Sequence, residues 1–340
     1  MENRPIKYLT LSVTGKCNLA CKYCYRGEPN NDVMKPEWAK TAIDLAAASG
    51  EGFHIQITGG EPLLAWDMIL KLLEYIQKSK VQASVGLQTN GTLIDDNIAR
   101  ALLAHKVQLG VSLDGPIHIH NKLRGKAEQT LNNLALLTDR NVPFRTTTVV
   151  TADNAASLGK TALLLAAFPT IQGMALDLLV RKGSQPKSGV FPPSHQALVD
   201  GLVDLQRCLD FVNARRKSPI ALREAERLFR PSSSRKTKAY CRAQLGQSLA
   251  VSPDGGVYPC GQAIGDPAFF KGNIAEDPAP PMCAALIKHS IYRECRTCEA
   301  RVVCPGECPS RLYYNKETGA PLSCVMTRTL FKMHKKASAA

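Results

Sequence analysis

Up to about position 180, short apolar and β-branched runs alternate with longer segments whose apolar residues recur at helical spacing. The runs Leu9 to Thr14, His54 to Thr58, Ala83 to Thr89, Gln108 to Leu113, Phe144 to Val150 and Met174 to Val180 read as strands. Between them, Lys35 to Ala48, Asp67 to Lys78, Asp95 to His105, Gln129 to Arg140 and Ala155 to Ala167 read as amphipathic helices. Repeated βα units imply a parallel sheet with right-handed crossovers. Six units rather than eight predict an α/β fold built on a partial (β/α)6 TIM-like barrel, open at one side. In such sheets the chemistry sits at the carboxyl ends of the strands.

Past the sixth unit the pattern changes. Gly183 to Pro193 is rich in Gly, Pro, Ser and Lys and reads as a connector. Ser194 to Arg216 predicts a long helix with Ser194 as its cap, and Ile220 to Phe229 a shorter one leading into Pro231-Ser-Ser-Ser234. From about Lys236 the chain is turn-rich and cysteine-dense. That stretch holds too few periodic apolar residues for a core of its own, so metal is expected to supply part of its stability. The expected division is a barrel over 1–190, a helical connector over 191–235 and a cysteine-rich domain over 236–340.

Composition narrows the classes. The chain has 340 residues, 44% of them apolar, but no run of the ~18 consecutive apolar residues that a membrane span needs. No cleavable signal pattern opens it, so a cytoplasmic location is expected. Twelve cysteines in such a chain point to metal or catalytic use rather than a disulfide framework. The net charge of +14 gathers at Arg215-Arg216-Lys217, Arg235-Lys236-Thr-Lys238 and Lys332-Met-His-Lys335-Lys336. Such runs are either solvated faces or a field that steers an acidic partner such as a peptide leader. Nucleic acid is not expected, because aromatic residues make up only 6% of the chain and none interleave with the basic runs as stacking requires.

The chemistry concentrates at Cys17, Cys21 and Cys24, spaced CxxxCxxC just after the first strand. Three thiolates leave one iron of a 4Fe-4S cluster open to another ligand. A zinc knuckle is the alternative, but it wants four closed ligands and no nearby Cys or His supplies the fourth. The run resembles the signature of the radical S-adenosylmethionine (SAM) enzymes. The resemblance implies that SAM chelates the open iron, that these cysteines are catalytic, and that Tyr23 packs beside cluster and adenine. Thr58-Gly59-Gly60-Glu61-Pro62, one βα unit later, is similar to that family's GGEP motif, which implies SAM contacts at Gly59, Gly60 and Glu61. Ser112-Leu-Asp-Gly-Pro116 with Arg124 resembles the SxDG and arginine segment of peptide-modifying members. There Ser112 and Arg124 would hold the SAM carboxylate, a role that suits a planar guanidinium. By the same resemblance Asn90 is placed near the methionyl group or ribose and Leu176 against adenine. His118 and His120 are expected to face solvent rather than bind metal.

The carboxy-terminal cysteines run Cys241, Cys260, Cys295, Cys298, Cys304, Cys308 and Cys324, with Gly255 five residues before Cys260. This order resembles the SPASM auxiliary-cluster domain, with a pair of zinc sites as the alternative. The resemblance implies one cluster on Cys295, Cys298, Cys304 and Cys324 and another on Cys241, Cys260 and Cys308. Sulfatase-maturing members carry a further cysteine where Gln247 stands, so the second site is either open at one iron or completed by Cys283. Their proton-accepting aspartate is replaced by Gly261, although Asp254 or Asp266 could take its place.

Together these features imply three 4Fe-4S clusters, SAM, and a cytoplasmic maturase that oxidatively modifies a peptide or protein by a thioether or carbon–carbon crosslink. A flavodoxin- or ferredoxin-like electron donor is expected. Because the first strand begins almost at once, a separate leader-binding protein or the basic surface would then recognise substrate. The alternatives are a sulfatase-type protein-oxidising maturase and a non-enzymatic metal-binding scaffold.

Overall fold

The computed structural model describes residues 5–26, 29–229, 239–276, 295–316 and 321–337. Six parallel strands succeed one another in chain order: β1 (Tyr8–Ser12), β2 (Phe53–Thr58), β3 (Ala83–Thr89), β4 (Gln108–Ser112), β5 (Phe144–Val150) and β6 (Ile171–Leu178). The crossovers carry α1 (Pro36–Ala47), α2 (Trp66–Ser79), α3 (Asp96–Ala104), α4 (Ile117–Leu123), α5 (Ala127–Asp139) and α6 (Leu158–Leu165). This is the partial barrel that the alternating pattern predicts. Leu9, Leu11, Ile55, Ile57, Leu87 and Phe144 are fully buried in the sheet, and Ile43, Ile69, Leu72 and Leu102 cover it from the helices. Asp95 caps α3 by accepting from the Ile98 amide, which is why that helix begins where it does.

Later segments of the chain extend both edges of the barrel sheet. Beyond β6, the helix α7 (His195–Asn213), capped by Ser194, leads to a two-residue strand β7 (Ala221–Leu222) beside β6, followed by α8 (Arg223–Phe229). At the other edge β8 (Ser248–Val251) pairs in parallel with β1, and β9 (Val257–Tyr258) runs antiparallel to β8. The cysteine-rich segment therefore adds strands to the barrel sheet, giving nine in the order β7-β6-β5-β4-β3-β2-β1-β8-β9. Its helices α9 (Pro309–Asn315) and α10 (Leu322–Ala337) are also unforeseen by the turn-rich reading. Leu322, Val325, Met326 and Leu330 of α10 join the main hydrophobic core, so the segment does not depend on metal alone for its packing.

The basic run at 215–217 has a structural use. Arg216 donates to the carbonyls of Ala166, Phe168 and Pro169, closing the end of the α6 unit, and the Arg215 guanidinium lies over the Phe211 ring. The run at 235–238 and the boundary at 235/236 lie outside the described residues. No helix among the described residues is long and apolar enough to cross a membrane.

Candidate active site

The carboxyl ends of the strands open into a cavity of about 2860 Å³. Small-molecule sites are usually ~300–1,000 Å³, so this one has room for more than one small ligand. Cys17, Cys21, Cys24, Tyr23, Gly59, Gly60, Asn90, Ser112 and Arg124 line it, and so do Cys241, Cys260, Cys304 and Cys308.

The cysteine loop after β1 is docked by its neighbours. Glu61 N–H donates to Lys16 O and Gly60 N–H to Thr14 O, both at 2.8 Å; Lys22 N–H donates to Leu123 O at 3.0 Å. Ser184 N–H reaches Cys24 O at 2.9 Å. Gly60 is required by this contact: a Cβ there would stand 2.2 Å from Lys16 O.

Glu61 is buried, and both oxygens of its carboxylate accept hydrogen bonds from within the protein. Oε1 accepts from Leu63 N–H at 3.1 Å and Thr89 Oγ1 at 2.6 Å, and Oε2 from Asn90 N–H at 2.7 Å. Burial drives its pKa up, while the Asn90, Thr89 and Leu63 donors pull it back down. Any ligand contact at this loop falls to its backbone. The Asn90 side chain is similarly committed, donating to Asn18 Oδ1 at 2.9 Å and accepting from Thr92; Asn18 in turn donates to Thr92 Oγ1 at 2.8 Å. Asn18 is a part of the site that spacing did not reveal. Ser112 Oγ accepts from Gln88 Nε2 at 3.1 Å.

Around Arg124 a second network forms. Its Nε–H donates to Asp114 Oδ2 at 2.7 Å, its Nη1 lies 3.8 Å from Cys21 Sγ, and its guanidinium sits 5.2 Å from the Tyr23 ring centre. The Tyr23 hydroxyl also donates to Asp114. Leu176 does not line the large cavity; it faces a small pocket with Leu178, Tyr240 and Met326. The cavity lies at the carboxyl end of β6, where Asp177 and Leu178, and Leu179 and Val180 after them, line it and Leu176 does not.

The two histidines part company. Both lie on the helix α4, where residues two apart point ~200° from each other. His118 is exposed as expected, but His120 is fully buried, accepts from Asp114 N–H at Nδ1 and leaves Nε2 unpartnered. Burial, with the Arg124 charge beside it, drives its pKa down to about 4.

The cysteines fall into three groups. Burial raises Cys17 and Cys21, and each also feels Cys24. Burial lifts Cys260 to about 12, with Cys308 and Cys241 adding to it; burial likewise raises Cys241, which feels Cys308. Cys324 rises to about 12 through burial and then Cys304 and Cys295, while Cys304 rises through burial and feels Cys298 and Cys295. Cys208 is buried in α7 away from these groups, and Cys283 lies outside the described residues. Among the described residues no set of three or more His, Cys, Asp or Glu is placed to hold a metal ion.

Other expected participants divide. Asp266 has both carboxylate oxygens engaged, by Ala268 N–H and the Tyr314 hydroxyl, and Asp254 lines the cavity while accepting from Ser252 Oγ. Gln247 begins the turn into β8; its Oε1 accepts from Arg242 Nη1 at 3.0 Å and its carbonyl from Lys7 and Tyr8 N–H. Asp177 faces the cavity in an ion pair with Arg223 at 2.8 Å. Burial opposes its charge, and the Arg223 guanidinium overrides this and holds its carboxyl below the ordinary range. Lys182 Nζ bridges to Gln262 O and Ile264 O at 2.8 and 2.6 Å, joining the end of β6 to the Cys260 turn.

Comparisons with known proteins bear on the family and the fold. A family model described as the radical SAM superfamily matches residues 11–165. An uncharacterized protein of Methanocaldococcus jannaschii is 32% identical over 263 residues, covering 75% of this chain and 85% of its own. The cysteine-type anaerobic sulfatase-maturating enzyme of Clostridium perfringens strain 13 is 26% identical over 340 residues, 89% of each chain. The solved structure of native anSMEcpe with bound AdoMet and the Cp18Cys peptide superposes with a TM-score of 0.77 at 24% identity, covering 97% of this chain and 96% of that one. That likeness establishes the fold: a TIM-like partial barrel with a SPASM domain.

Proposed function

Because this chain belongs to the radical SAM superfamily, we propose that it is a maturase that oxidatively modifies a peptide or protein. The observation that carries the reading is the shared cavity: Cys17, Cys21 and Cys24 at its barrel side and Cys241, Cys260 and Cys308 at its other side line one space. We assign SAM and a 4Fe-4S cluster to the first set, and two further clusters to Cys241, Cys260, Cys308 and to Cys295, Cys298, Cys304, Cys324. When bound, the first cluster supplies the electron that cleaves SAM to the 5′-deoxyadenosyl radical, and the others accept the electron that the substrate gives up.

The chain's own residues do the rest. Gly59 and Gly60 present backbone to SAM. Arg124 and Ser112 meet its carboxylate, and Tyr23 holds the guanidinium from below. The cavity volume leaves space for a peptide alongside SAM. Relatives point the same way, since anSMEcpe was solved with AdoMet and a peptide together. Without a cysteine at Gln247, the Cys241 group has three assigned thiols, Cys241, Cys260 and Cys308; a cluster held by them would keep one position open to a substrate thiol, which would favour thioether formation. A flavodoxin- or ferredoxin-like donor supplies electrons, a separate leader-binding protein or the chain's basic runs recognise the substrate, and the cytoplasm suits thiols kept reduced.

A sulfatase-type oxidation is the second reading, favoured by the likeness over 89% of each chain to the Clostridium enzyme. Gly261 after Cys260 and the engaged Asp266 count against it. Co-expression with small peptides encoded beside the gene, followed by mass spectrometry, tests the choice. A product lighter by two hydrogens with its cysteine blocked to alkylation supports a thioether. A cysteine or serine converted to formylglycine supports the second reading, and unmodified peptides with active SAM cleavage argue against both substrates.

A further inference from the structure

Beside Glu61, the site holds a second fully buried carboxylate that the SAM assignment does not use. Asp114 follows β4 by two residues and is wholly shielded from solvent. Its Oδ2 accepts from Arg124 Nε–H at 2.7 Å and from the Tyr23 hydroxyl. Its Oδ1 accepts from Val149 N–H at 2.9 Å, its backbone N–H points at His120 Nδ1, and its carbonyl accepts from Asn154 Nδ2 at 3.1 Å. The carboxylate is thus pinned by β5 on one side and holds two cavity residues on the other, one from the cysteine loop and one from the end of α4.

Arginine has five donors in one plane. Asp114 takes the Nε edge, and the Tyr23 ring supports the face at 5.2 Å. The Nη groups are left toward the cavity, with Nη1 at 3.8 Å from Cys21 Sγ. One side chain therefore fixes both the tilt of the guanidinium and the ring beneath it before any ligand arrives. A long cationic side chain that is ordered in advance costs less to bind against than one that must be frozen on binding.

From this arrangement we infer that Asp114 is a positioning residue of the SAM pocket, acting through the Arg124 guanidinium, which it holds directly and by way of the Tyr23 ring beneath it, rather than touching SAM. The inference rests on the reading of Arg124 as a SAM contact. A carboxylate needed only for folding would have no reason to spend two of its bonds on cavity-lining side chains from separate elements.

The test is SAM affinity, measured by anaerobic equilibrium dialysis on cluster-loaded protein, for Asp114→Asn, Arg124→Ala and the double variant, with iron content as the check on folding. Asp114→Asn should bind SAM roughly tenfold more weakly with its iron retained. The double variant should bind no worse than Arg124→Ala alone, because Asp114 acts only through that guanidinium. At saturating SAM, the electron paramagnetic resonance change of the reduced cluster should reappear in Asp114→Asn. Wild-type affinity in Asp114→Asn beside a weakened Arg124→Ala overturns the inference, as does a double variant that loses the product of both factors. If Arg124→Ala itself binds as wild type, the reading beneath the inference falls and takes the inference with it. Should Asp114→Asn lose iron, Tyr23→Phe carries the same test. It keeps the ring and removes one bond to Asp114, so it should weaken SAM binding severalfold with Arg124 present and not at all in Arg124→Ala.

Discussion

Glu61→Gln isolates what the GGEP loop does. In the structure the carboxylate receives three donors, Leu63 N–H, Thr89 Oγ1 and Asn90 N–H, and none of its acceptor capacity is turned to the cavity. Glutamine keeps the shape but offers one oxygen. If Nε2 takes the Oε2 place, it meets the Asn90 N–H donor to donor; if flipped, it meets Leu63 N–H and the Thr89 hydroxyl. Either way at least one buried N–H is orphaned at about 1–3 kcal/mol, and the surviving bonds lose the extra strength of an ionised acceptor. We expect a loss of about 2–4 kcal/mol in all. The damage should spread, because Asn90 also holds Asn18 and through it the cysteine loop. Urea unfolding followed by far-ultraviolet circular dichroism under anaerobic conditions measures the first effect, and iron retention during dilution the second. A variant within about 0.5 kcal/mol of wild type that had lost SAM affinity would refute the internal role and make Glu61 a direct ligand.

Three further expectations follow from the same geometry. His120 is held neutral, with a pKa of about 4 against an ordinary 6.5, so its contribution to stability is present above the unfolded value and is lost as pH falls toward the folded one. Between pH 7.5 and 5.5 that loss is about 1.4 kcal/mol, visible as a lower urea midpoint that shrinks in His120→Gln; an unchanged pH dependence in the variant would place the titrating group elsewhere. Gly60→Ala, whose Cβ would lie 2.2 Å from Lys16 O, should displace the cysteine loop and weaken SAM binding at least tenfold by dialysis, whereas Gly52→Ala, with its nearest neighbour at 3.5 Å, should not. Arg216→Ala, which frees three carbonyls at the end of the α6 unit, should lower the urea midpoint by the equivalent of about 1–2 kcal/mol while leaving SAM binding unchanged; Arg215→Ala should change neither the midpoint nor SAM binding.

How much of this was legible in the chain varied with the kind of signal. Strands such as Ala83–Thr89 and Phe144–Val150 were readable to the residue, because apolar runs bounded by turn residues have few other uses. The strand β8 was not. Its four residues are all buried between β1 and β9, so no alternation marks them, and the pairing partner lies more than two hundred residues away. The helix α10 was overlooked because Cys324 drew the reading toward metal, although Val325, Met326 and Leu330 repeat at helical spacing. Motif residues lining the cavity could be named, yet their division of labour could not. That Glu61 and Asn90 brace loops while Arg124 faces the cavity depends on which donors three separate strand ends bring together. Asp114 stood in plain sight in the SxDG run, and only its burial beside Arg124 and Tyr23 shows what it holds.

On the function proposed above, Cys17, Cys21 and Cys24 build a site that cleaves SAM reductively, and the product of that cleavage can be measured directly. Protein purified anaerobically and reconstituted with iron and sulfide should be incubated with SAM and a strong reductant, with 5′-deoxyadenosine quantified by chromatography. The wild-type chain should form it, and the Cys17, Cys21 and Cys24 triple alanine variant should form none while keeping about two-thirds of the iron, the share expected for two of three similar clusters. Product from the triple variant at the wild-type rate, or none from a wild-type protein that carries its full iron, would contradict the account.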